Sequence, residues 1–237
     1  MSGVGITDNA NGQPTGAQAA DKSALRHQAL ARRKLTSAEE RLDAGHALVQ
    51  QLTGSSESES SQAMGPLKSG ATVAAYVSMG SEIETRPLLG WLLERGCTVL
   101  VPKLGSGLEI GWSVLRSLDD LHAVDGHGHL RPDEPEGETL PPQALIQASV
   151  VFAPALGVDP RGFRLGRGAG WYDRALAARA SGCPLIAICW PWEVIDSNLP
   201  AEPHDVPADA VLTPNGFHML SRDAGHDNPA ANCQGND

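Results

Sequence analysis

TVAAYVSMGSEIETRPLLGWLLERGCTVLV, residues 72–101, reads as a strand, a helix and a second strand within one short span. The apolar run at 72–77 is the first strand. Thr85 is placed to cap a helix whose Leu88, Leu89, Leu92 and Leu93 face inward, and Gly96 ends it at the C′ position. Residues 98–101 (TVLV) form the second strand. Strand, helix and strand at this spacing make a βαβ unit, which implies parallel strands joined by a right-handed crossover.

The same alternation continues outward. Apolar runs at 150–153, 185–189 and 210–213 read as further strands, a helix is expected from about 170 to 179, and residues 108–115 add a strand at an edge or in a hairpin. Strands this short and wholly apolar suit a sheet covered by helices on both faces. The expected fold is therefore α/β, a three-layer sandwich with a mostly parallel central sheet. Upstream, residues 22–35 have helix-forming composition. Thr36 or Ser37, with Glu39 or Glu40 three residues later, is a capping-box pattern that restarts a helix. Ala38, Leu42, Gly45, Val49 and Leu52 then recur at helical spacing and are expected to form one buried stripe.

A chain of 237 residues with 41% hydrophobic content supports one sizeable core. Residues 1–21 and 222–237 are polar and Gly/Ala/Asn-rich and read as disordered tails, which leaves a single domain at 22–221. The segment 54–62 (GSSESESSQ) is a polar linker, and the acidic stretch 117–140 reads as a long surface excursion rich in turns. A formal charge of −10 argues against a nucleic-acid-binding body, which needs a basic face to displace counterions. It leaves room for a small anionic ligand held by a few cations in one cleft. Residues 1–20 show neither the apolar nor the basic region of a secretory signal, and no window approaches the roughly 20 apolar residues of a membrane span. Cys97, Cys183, Cys189 and Cys233 form no metal spacing, and the first three sit in or beside apolar runs as small hydrophobes. His122, His127 and His129 with Asp125 match no transition-metal pattern. The expected setting is the cytoplasm, and the expected assembly a monomer or small homo-oligomer.

Chemistry concentrates in residues 159–173, DPRGFRLGRGAGWYD, which follow a strand and run into a helix. Their glycines thus lie at the C-terminal edge of the sheet, where open α/β folds bind ligands. Gly166, Gly168 and Gly170 let the backbone approach a phosphate closely and point N–H groups at it. Arg164 and Arg167 flank the loop with planar, permanently charged forks suited to phosphate oxygens. Asp173, in the first helical turn, is placed to meet a magnesium ion bridging those phosphates. The plainer reading is a structural loop with solvent-facing arginines and a capping Asp. The loop matches neither the Walker A nor the Rossmann fingerprint.

The run RLGRGAGWYD resembles the glycine-rich signature of the 5-formyltetrahydrofolate cyclo-ligase family, in which Arg-Leu-Gly-Arg-Gly-x-Gly-Tyr-Tyr-Asp is typical. Three further segments agree in the family's order. DKSALRHQAL carries Lys22 and Arg26 like the family's Lys-x-x-x-Arg on its first helix. SMGSEIETRPL, residues 78–88, resembles the folate-side segment after the first strand. LPAEPHDVPADAVLTP, residues 199–214, resembles the Leu-Pro…His-Asp…Asp…Thr-Pro stretch near the end. Trp171 replaces the first tyrosine of the signature, and Ala169 sits where several relatives have Gly or Lys.

The resemblance implies a sequence of steps in which ATP phosphorylates the N5-formyl oxygen of 5-formyltetrahydrofolate, N10 attacks, and phosphate leaves as 5,10-methenyltetrahydrofolate forms. It places Lys22, Arg26, Arg164, Leu165, Gly166, Arg167, Gly168, Ala169, Gly170, Trp171 and Tyr172 around ATP, with Arg167 and Lys22 catalytic. It places Val77, Met79, Glu82, Trp171 and Tyr172 around the folate, and Asp173 and Asp205 on Mg2+. Lys22 and Arg26 share one helix face, so they can reach one triphosphate. A carboxylate at Glu82 suits a pterin, whose exocyclic amine and ring N–H present two donors in line. The plainer readings are a solvated helix face for Lys22 and Arg26, a turn residue for Asp205, a helix-start carboxylate for Glu82, and core positions for Val77 and Met79. Two other functions stay open: a same-fold ATP-dependent enzyme acting on another substrate, and a nucleotide- or folate-binding protein without turnover.

Overall fold

The computed structural model describes residues 16–53, 67–104, 110–125, 131–168, 170–202 and 204–220. Two helices lead, α1 (Gly16–Arg33) and α2 (Ala38–Leu52), and the βαβ unit follows as β1 (Thr72–Ala74), α3 (Arg86–Glu94) and β2 (Thr98–Leu104). Then come β3 (Ile110–Leu115), the short pair β4 (Leu121–His122) and β5 (Glu134–Pro135), β6 (Val150–Pro154), and the hairpin β7 (Gly157–Val158) and β8 (Arg164–Leu165). The chain closes with α4 (Trp171–Leu176), β9 (Leu185–Ile188), β10 (Ala210–Thr213) and β11 (Gly216–Met219).

Seven strands make the central sheet in the order β11-β10-β9-β6-β1-β2-β3. The five inner strands run parallel, and only the edge strands β11 and β3 pair antiparallel. Val73 stands between Val99 on one side and Val150 on the other. Alternate residues serve opposite faces: Val73, Val99, Phe152, Ile186 and Leu212 pack with Leu48 of α2 and Leu88, Leu89 and Leu92 of α3. Ala74, Leu100, Val151, Leu185 and Val211 pack with Leu145, Ala175 and Leu176 on the other side. A sheet covered on both faces needs apolar residues at every strand position, which is why its strands read as continuous runs. The three-layer sandwich is the expected architecture.

Several local readings shift. The buried seam of α2 is Ala44, Gly45, Leu48 and Leu52, while Ala38 is exposed and Leu42 is 44% exposed. The cause is a close crossing at Gly45, where a Cβ would lie 2.1 Å from the Glu84 carbonyl oxygen, so the helix rolls to bring its small residue inward. Ser37 and Glu40 form the capping box, each accepting the other's backbone N–H. Thr85 makes no cap bond. Its hydroxyl donates to Tyr76 O at 2.9 Å and accepts the Ser78 N–H, tying the loop after β1 to the start of α3. Gly96, at φ +74°, ends α3 as expected, with Cys97 N–H reaching back to Leu92 O.

Helix α1 begins at Gly16, inside the span read as tail, on a stretch of Ala and Gln that favours helix. Helix α4 stops at Leu176, because Ala178 and Arg179 turn tightly onto the carbonyls three residues back. The acidic excursion is clamped to the sheet more firmly than a solvated loop: buried Glu134 accepts from Leu104 N–H and Arg131, and Lys103 donates to Pro135 O and Gly137 O. Residues 1–15 and 222–237 of the tails, the linker 54–62, His127, His129 and Cys233 lie outside the described residues. Cys97, Cys183 and Cys189 are buried free thiols. Among the described residues no helix is long and apolar enough to cross a membrane.

Candidate active site

Strand order reverses between β1 and β6, since the chain leaves β1 toward β2 and leaves β6 toward β9. A crevice opens at the C-terminal ends of such a pair. Into it project the loop after β1, residues 75–85, and the β7–β8 hairpin with the glycine run beyond it. The hairpin turn is built on Asp159, which is 1% exposed. Its carboxylate accepts backbone N–H groups from Arg161, Phe163 and Leu199 at 3.0, 2.9 and 3.0 Å, and it pairs with the Arg161 guanidinium at 2.6 Å. Gly162 closes the turn at φ +88°, where a Cβ would sit 2.2 Å from Ala208 O. The glycine run therefore leaves a rigid turn.

Helix α1 lies over this hairpin. Leu25, Ala29 and Leu30 pack on Leu156, Leu165 and Leu199. At its last turn Arg33 forms a bidentate pair with Glu193, at 2.6 and 2.7 Å, and donates to Ala155 O; both side chains are 2% exposed. Beside it, Arg32 covers the Trp192 ring at 4.5 Å, and Trp192 stacks on Trp190 at 4.7 Å. So fixed, α1 presents Arg26 to the glycine run, with Nε donating to Gly166 O at 2.8 Å, and Lys22 to the segment near 202–205.

Three cations paired with carboxylates line the cleft. Lys22 Nζ lies 2.9 Å from Glu202 and 3.4 Å from Asp205. Arg164 donates to Asp173 at 3.0 Å and to Val206 O, and its Nε has no hydrogen-bond partner among the described residues. Burial lowers the Arg164 pKa, while the negative fields of Asp173 and Asp205 oppose that shift. Asp173 pairs with Arg164 directly, and Asp205, held by Lys22, adds its negative field there from a loop far along the chain. Arg167 Nε meets Glu82 at 3.2 Å, and Glu82 also accepts the Met79 N–H at 3.0 Å. Burial pushes the Glu82 carboxyl above the usual carboxylate range, with Arg167 opposing the shift.

The remaining expected residues divide. Gly168 and Gly170 both have positive φ, +105° and +62°, and Arg26 packs against Gly168. Leu165 is buried under α1 and Val77 in the core below the cleft, so neither offers an open wall. Met79 is half-buried beside Glu82. Tyr172 is packed between both core faces, and burial raises its hydroxyl pKa. Ala169 and the Trp171 side chain lie outside the described residues. The sequence reading missed the supports. Asp159 had a signal, since Asp-Pro-x-Gly is good turn composition. The Arg33–Glu193 pair had none, because no local spacing links residues 160 positions apart.

Fold and cleft together define a three-layer α/β protein with its charged site at the switch point of a parallel sheet. The family model described as the 5-formyltetrahydrofolate cyclo-ligase family matches residues 18–214, and the chain belongs to that family of enzymes. A 5-formyltetrahydrofolate cyclo-ligase of Mycolicibacterium smegmatis is 44% identical over 151 residues, spanning 62% of this chain and 75% of the relative. The Escherichia coli K12 protein of the same name is 28% identical over 160 residues, spanning 63% and 81%. The NMR structure of Aquifex aeolicus 5,10-methenyltetrahydrofolate synthetase superposes with a TM-score of 0.64 at 27% identity, covering 89% of this chain and 98% of that one.

Proposed function

We propose that this chain converts 5-formyltetrahydrofolate to 5,10-methenyltetrahydrofolate with ATP as co-substrate and Mg2+ as cofactor, releasing ADP and phosphate. The observation that carries the reading is the Arg167–Glu82 contact, which joins a phosphate-type cation on the glycine run to a pterin-type carboxylate on the loop after β1. One crevice thereby holds recognition chemistry for both substrates.

The formyl amide is a poor electrophile, so its oxygen must first become a leaving group. The γ-phosphoryl group passes to the formyl oxygen and ADP departs. N10 then attacks the formyl carbon, and that oxygen leaves with phosphate as the ring closes. Such a reaction asks the protein to position and neutralise. Lys22, Arg26, Arg164 and Arg167 hold phosphate oxygens, and the orphaned Arg164 Nε supports an anion beside it. Glu82 receives the pterin donors once Arg167 turns to the phosphates, exchanging one positive partner for two N–H groups. Asp173, which faces Arg164, and Asp205, which faces Lys22, carry the oxygen donors that a hard divalent cation takes. Bound there, Mg2+ would offset charge on the transferring phosphoryl group.

The test is purified protein with ATP, magnesium and 5-formyltetrahydrofolate, followed by the near-ultraviolet absorbance of the methenyl product. Product formation that requires all three components is expected. Tight folate and nucleotide binding with no absorbance change would overturn the reading in favour of a binding protein.

A further inference from the structure

Beside Glu82, a recess of about 350 Å³ opens between the start of α2 and the loop after β1, lined among others by Ala38, Arg41, Leu42, Met79, Glu82 and Arg86. That volume falls in the range of small-molecule sites, roughly 300–1,000 Å³. Its charges are paired unevenly. Arg86 is neutralised by Glu84 at 3.1 Å and by Asp133, and Glu82 is held by Arg167. Arg41 donates to the Thr36 carbonyl at 2.6 Å and meets no carboxylate among the described residues. Next to it Leu42, rolled off the core by the Gly45 crossing, keeps 44% of its surface exposed at the recess.

We infer that Arg41 recognises the glutamate-tail carboxylates of the folate substrate, with Leu42 covering the aminobenzoyl ring between tail and pterin. The inference rests on the folate reading above. A reduced folate offers, in order, paired N–H donors, an apolar ring and a dianionic tail. The recess offers an acidic group, an apolar side chain and a cation with no carboxylate bonded to it among the described residues. A guanidinium retains two faces of N–H donors beyond the one bonded to Thr36 O, enough for a forked contact with a carboxylate. Arg41 is thus a specificity-determining residue that acts on the tail and stands apart from the phosphate chemistry.

The experiment compares kcat/KM for 5-formyltetrahydrofolate with that for the 5-formyltetrahydropteroate lacking the glutamate, in wild type, Arg41→Ala and Arg41→Lys. Wild type should prefer the glutamate-bearing substrate by about tenfold, the scale of one charge-assisted contact. Arg41→Ala should bring the ratio of the two close to one, and Arg41→Lys should keep part of it because the charge remains. A fold defect would lower both substrates together, so the ratio still reports the contact. An Arg41→Ala ratio equal to that of wild type overturns the tail assignment alone. Absence of methenyl product from both substrates in wild type overturns the folate reading, and this inference with it.

Discussion

Glu193→Ala removes one half of a buried ion pair and leaves the other half, Arg33, in place at 2% exposure. Arg33 loses two charge-assisted bonds and keeps only Ala155 O, while the Trp190 N–H loses its acceptor at 2.9 Å. Stranding a buried charge in this way costs about 3–5 kcal/mol, well above a typical surface pair. At roughly 2–4 °C per kcal/mol for a domain of this size, the melting temperature should fall by about 6–20 °C. Helix α1 also carries Lys22 and Arg26, so the apparent KM for ATP should rise in the variant at temperatures where it remains folded. Replacing both partners, as Arg33→Met with Glu193→Met, removes the stranded charge and should recover part of the loss. Recovery should stop short of wild type, since Ala155 O and Trp190 N–H then lack partners at about 1–3 kcal/mol each. Urea and thermal melts followed by circular dichroism measure all three proteins. A Glu193→Ala protein within about 1 kcal/mol of wild type, or a double variant less stable than it, would refute the reasoning.

The remaining predictions address the cleft. Arg167→Ala should depress turnover by roughly 10²-fold, the scale of a lost preorganised charge, as steady-state kinetics in ATP will show. Asp173→Asn and Asp205→Asn should each raise the magnesium needed for half-maximal turnover, and the double variant should be non-additive; an Asp205→Asn enzyme with wild-type magnesium dependence would reduce that residue to a turn former. Burial raises the Glu82 pKa, so its contribution to stability is full below the unfolded value of about 4.3 and is lost as pH rises through the folded value. Glu82→Gln should therefore be more stable relative to wild type at pH 8 than at pH 4, and urea melts at both values check the sign. Gly162→Ala meets both the positive φ and the Ala208 carbonyl, and should lose about 1–3 kcal/mol in the same assay.

Sequence periodicity determined the parallel sheet, because a strand buried on both faces must be apolar throughout and residues 73–74, 99–101, 150–153, 185–188 and 210–212 are. Adjacent letters also showed the glycine run and a capping box at Thr36 or Ser37, and the structure selects Ser37 with Glu40. Tertiary structure alone decided which face of α2 is buried, since a backbone crossing at Gly45 outweighs a one-residue difference in apolar spacing. It alone paired Arg33 with Glu193, Lys22 with Asp205 and Arg167 with Glu82, because each contact joins residues that only the folded sheet brings within reach. Charges read singly looked like four cations and several carboxylates awaiting ligands; in the fold each of those cations except Arg26 already faces a carboxylate, since a charge drawn out of water costs less when it is paired.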